Sequence, residues 1–86
     1  MPADVARQVA AEHCLLHFPT MYTAGRPCPP VHSKPALWRV PIVVVDVEQG
    51  PIGEVGELFV DVLERKVIRE TPRDAVTAAG KKLLPR

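Results

Sequence analysis

The sequence predicts an α+β fold: an N-terminal helix packed on a small antiparallel sheet of two to three strands, then a C-terminal helix. Three observations carry that expectation. The chain has 86 residues, room for one domain with a thin core. Residues 37–47, LWRVPIVVVDV, are β-branched, begin beside an aromatic residue and are too short for a typical helix. Helical spacing of apolar residues is confined to the two ends of the chain.

The first helix is expected over 3–16. Pro2 suits a first turn, Asp4 sits where the helix N-terminus favours negative charge, and Val5, Val9 and Leu16 share one stripe. Pro19 forbids continuation. Residues 18–36 hold five prolines and one glycine, which predicts a Pro-rich loop with a short strand near 20–23. Strand 37–47 follows, with EQGPIG at 48–53 as turn chemistry. A second strand over 54–62 sets Leu58, Val60 and Val62 on one side and Glu57, Phe59 and Asp61 on the other. LERK turns the chain, and 67–69 adds a short third piece. The last helix, 72–84, opens on Thr71, Pro72 and Asp74, which read as N-cap, first-turn proline and capping-box carboxylate. Gly80 weakens it by about 1 kcal/mol relative to alanine.

Strand 37–47 is apolar on both faces. Trp38, Val40, Ile42 and Val44 lie on one, and Leu37, Pro41, Val43, Val45 and Val47 on the other, interrupted only by Arg39. A sheet with one wet face should alternate cleanly. The first helix covers one face, and the second helix has too few large side chains to cover the other. The uncovered face is therefore expected to meet a partner protein or a second copy, with Trp38, Val43, Val45 and Phe59 as contacts. Pro41 is expected at an edge or bulge. Residues 64–86 carry seven Lys/Arg against three Asp/Glu, whereas 1–63 carry four against seven. This basic tail, with Arg73, Lys81 and Lys82, is a second expected contact, suited to an anionic partner surface.

Enzymatic chemistry finds little to stand on. Gly50, Gly53 and Gly56 do not form a phosphate loop, and Glu57 and Asp61 would stand about 13 Å apart, too far for a paired-carboxylate hydrolase. His13-x3-His17 lacks the glutamate a metalloprotease helix needs. Cys14, His17, Cys28 and His32 offer zinc two thiols and two imidazoles at short spacings; otherwise no cofactor is implied. The basic residues come with no recognition motif and no aromatic platform for direct nucleic-acid binding. The longest uncharged apolar run, VPIVVV at 40–45, is too short for a membrane span. With no apolar leader and two cysteines outside any disulfide framework, reduced thiols in a cytoplasm are expected.

The helix VARQVAAEHCLL, the strand LWRVPIVVV and the hairpin GELFVDVLERKVI together resemble the PepSY-like family of small domains over about two thirds of the chain. The resemblance implies a non-catalytic helix-and-sheet module that binds or restrains a partner protein, in many cases a peptidase. The expected function is thus non-enzymatic protein binding or inhibition, antitoxin-like or protease-inhibitor-like. The alternative is a zinc-stabilised structural or nucleic-acid-associated small protein.

Overall fold

A computed structural model describes residues 2–19, 21–30 and 36–83. Its elements run α1 (Pro2–His17), β1 (Tyr22–Ala24), β2 (Leu37–Asp46), β3 (Gly50–Asp61), β4 (Lys66–Glu70) and α2 (Arg73–Leu83). The four strands form one antiparallel sheet in the order β1-β2-β3-β4. This is the α+β class the sequence predicts, with one strand more.

The added strand length comes from local turn chemistry. The hairpin between β2 and β3 closes on the Asp46 carboxylate, which accepts from the backbone N–H groups of Glu48 and Gln49, and on Gly50, whose φ of 78° favours glycine. The turn is therefore over by Gly50. Residues 50–53 join the strand instead of forming the turn expected over 48–53. Asp61 repeats the device, accepting from Leu63 and Glu64 before β4 begins. The expected short piece at 67–69 is a five-residue strand.

The core lies between the sheet and both helices. Ala6, Ala10 and Cys14 of α1 and Val76 of α2 share one buried cluster with Val40, Ile42 and Val44 of β2 and Leu58 and Val60 of β3. Both helices thus occupy the same face of the sheet. On α1 the buried stripe is Ala6–Ala10–Cys14, not the expected Val5–Val9–Leu16, and Leu16 is 78% exposed. Small side chains at i, i+4 and i+8 let the helix axis approach the sheet, and larger neighbours are displaced to the flanks.

α2 starts differently from its sequence signature. The Thr71 hydroxyl accepts from the Glu57 N–H at 3.0 Å, and the Thr71 N–H donates to the Glu57 carbonyl. Thr71 therefore pins the strand-to-helix junction to β3 and does not cap the helix; the Pro72 carbonyl accepts the helix's opening bond from Val76.

Pro41 sits in a central strand, not at an edge. Its carbonyl accepts from Gly25 N–H, and in extended backbone the missing N–H would face the same neighbour. That neighbour is the segment past the end of β1, where pairing is reduced to an isolated bridge between Cys28 and Arg39. The lost donor thus falls where the ladder is already loose.

Candidate functional site on the open sheet face

The face away from the helices carries Leu37, Arg39, Pro41, Val43 and Val45 of β2 and Glu54, Glu57, Phe59 and Asp61 of β3, by alternation from the buried residues. No helix among the described residues covers it. The Pro-rich segment does so in part. A Cβ on Gly25 would stand 2.8 Å from Val43 Cγ2 and 3.0 Å from Pro41 Cγ, so bare backbone lies directly on those side chains. Pro41 is buried as a result, whereas Val43 and Val45 remain half-buried. Val47 has left the strand for the turn and is fully exposed.

Beyond this cover the face opens into a groove of about 340 Å³. Sheet order places Leu37, Arg39 and Phe59 in its middle, Cys28, Pro29 and Pro30 on the β1 side, and Ile68 and Arg69 of β4 on the other. A register shift explains the last pair. Phe59 is opposite Arg69 but Val60 is opposite Val67, so Ile68 is an extra residue. The bulge turns both Ile68 and Arg69 toward the groove while Val67 packs on the core.

The two guanidinium groups are in different states. Arg39 donates from Nε to Glu57 and from Nη2 to Glu54, each at 2.5 Å, and its Nη1 lies 3.6 Å from Cys28 Sγ. The Glu57 hydrogen bond, helped by Cys28 and Glu54, holds it protonated well above the ordinary guanidinium range, against the opposing effect of burial. Arg69 is exposed, and among the described residues no ion pair or side-chain hydrogen bond uses it.

The expected contact residues divide. Val43, Val45 and Phe59 share the open face. Trp38 lies on the helix-covered face, packed against the core margin beside Ala36, Val62 and Leu63. Arg73, Lys81 and Lys82 are exposed on α2, across the sheet from the groove, so one flat partner surface cannot reach both sets. Arg39 and Ile68 were not among the expected residues, and Arg69 was expected only as one charge of the basic tail. Arg39 had a signal, the single charge in an apolar strand face; the bulge that aims Ile68 and Arg69 had none.

Among the described residues the candidate cysteines and histidines lie apart. Cys14 is buried in the core under α1, and Cys28 meets Arg39 on the other side of the sheet; His32 lies outside the described residues. His17 is exposed and its ring lies tilted against that of His13, centroids 4.3 Å apart; His13 bonds Glu70 at 2.5 Å. Among the described residues no three His, Cys, Asp or Glu side chains come together as a metal site. Sequence distance says nothing about which side of a sheet a thiol faces, and the two thiols face opposite sides.

Burial, with a smaller contribution from Glu70, pushes the Cys14 thiol from 9.0 up to about 11. At pH 8, a thiol reagent such as 5,5′-dithiobis(2-nitrobenzoate) is expected to modify one cysteine, Cys28, in the folded chain and two after denaturation. Because the folded-state value is raised, the contribution of Cys14 to stability is fully present below pH 9 and is lost as pH rises through about 11. Rapid modification of both thiols in the native chain would contradict this placement.

Among the described residues no helix is long and apolar enough to cross a membrane. Comparison of the chain with protein-family models, with curated proteins and with solved structures finds no match.

Proposed function

We propose that this chain is a non-enzymatic protein-binding module whose contact surface is the open face of its sheet. One observation carries the reading: both helices pack on the same side, so among the described residues no helix lies over Leu37, Val43, Val45, Phe59 and Ile68. Full burial of a side chain of this size is worth about 1.5–3 kcal/mol. Recovering half of that over five residues amounts to several kcal/mol, of the order of a small domain's whole stability. The likeness to the PepSY-like pattern supports binding without catalysis, and an inhibitor or antitoxin-type role is the form of binding we favour.

The two edges of the sheet add support for a face-on contact. β1 is three residues long and β4 is interrupted by its bulge, both features that discourage strand addition. Native mass spectrometry of the chain isolated from its own cells tests the reading. The wild type is expected to carry a bound protein or second copy, Phe59→Lys to lose it, and the pair Lys81→Glu and Lys82→Glu to keep it. A bare monomer, or a complex indifferent to Phe59→Lys, would refute the assignment.

A further inference from the structure

We infer that the groove receives the C-terminal residue of the partner chain, its apolar side chain against Phe59 and Ile68 and its free carboxylate on Arg69. The inference rests on the open face being the binding surface and adds the chemistry of what enters it. The groove's volume, about 340 Å³, is at the small end of ligand sites and suits one or two side chains, not a long segment. Among the described residues its lining is apolar apart from the Cys28 thiol and the two arginines.

Those arginines are not equivalent. Arg39 has two of its nitrogens on Glu57 and Glu54, and the two carboxylates carry one more negative charge than it neutralises. An anion is repelled there. Arg69 has no carboxylate within ion-pair distance among the described residues, and its planar fork matches a carboxylate in bidentate fashion. The anion-binding point therefore lies on β4.

Ile68 and Arg69 are consecutive and, through the bulge, face the groove together. A ligand that satisfies both must hold apolar atoms and anionic oxygens a few Å apart. A chain-terminal apolar residue has both on one α-carbon. An internal aspartate or glutamate carries the charge without the apolar body, and an internal leucine the reverse.

The test uses the full ¹⁵N-labelled chain and three pentapeptides: acetyl-Gly-Ser-Gly-Ser-Leu with a free carboxylate, its carboxamide, and the free acid ending in Ser. In amide-shift titrations the Leu acid is expected to move Phe59, Ile68 and Arg69. The other two peptides should bind about tenfold or more weakly, as for a lost charge-assisted contact. Arg69→Gln should reduce the acid to the carboxamide's affinity, and Arg69→Lys should restore part of it. Equal binding of acid and carboxamide in the groove overturns carboxylate recognition while leaving a protein-binding face intact. Shifts elsewhere, or none, overturn the groove as a terminus site. The effect of Phe59→Lys on the native complex decides the broader reading independently.

Discussion

Ile42→Ala is expected to destabilise the chain by about 2–5 kcal/mol, whereas Val43→Ala next to it costs about 1 kcal/mol. Both belong to the run VPIVVV, and composition gives no reason to separate them. Their faces do. Ile42 is fully enclosed between β1, β3 and the two helices, so truncation leaves a cavity that a thin, close-packed core cannot collapse around. Val43 points to the open face, where it is half-buried and the backbone of Gly25 lies against it. Urea unfolding followed by circular dichroism measures both. Because a domain of this size has about 5–15 kcal/mol to lose, Ile42→Ala should shift the midpoint markedly. Equal costs for the two substitutions would mean that the assignment of sheet faces is wrong.

Gly80→Ala is expected to destabilise by about 1–3 kcal/mol, opposite in sign to the gain of about 1 kcal/mol that helix propensity alone forecasts. A Cβ at Gly80 would overlap the Tyr22 hydroxyl and stand 2.9 Å from two ring atoms. Tyr22 is buried and packs against Phe18 at a ring separation of 5.9 Å, so its ring has little room to withdraw. Tyr22→Phe removes the nearest of those atoms. In that background Gly80→Ala should cost less, a coupling that a double-mutant cycle reads directly. A stabilising Gly80→Ala in the wild type would show that α2 does not lie against β1 as described.

The same two positions mark the limit of what the chain discloses when read in one dimension. Helix 3–16, strand 37–47, the turn after Asp61 and the Pro72 start of α2 are each written in residues within a turn or two of one another. Proline geometry, β-branching, apolar spacing and side-chain-to-backbone bonds act over that range. The alternation of Leu58, Val60 and their neighbours likewise assigns the two sides of β3 correctly. Even the deficit of cover for strand 37–47 was visible, as an apolar pattern with no polar side.

Placement obeyed other forces. Val5, Val9 and Leu16 looked like the buried stripe of α1, but close approach to a sheet favours the smallest side chains, and Ala6, Ala10 and Cys14 took it. Thr71 had the spacing of a cap and spent its hydroxyl on β3 instead. The four zinc-type ligands were near in sequence, yet the sheet stands between Cys14 and Cys28. The groove exists because one residue more in β4 than in β3 turns Ile68 and Arg69 to the same side. Short-range preferences therefore specified the elements and the two sides of β3. Which side each helix chose, and which charges met across the sheet, depended on packing between residues remote in the chain, where size and close contact outweigh local propensity.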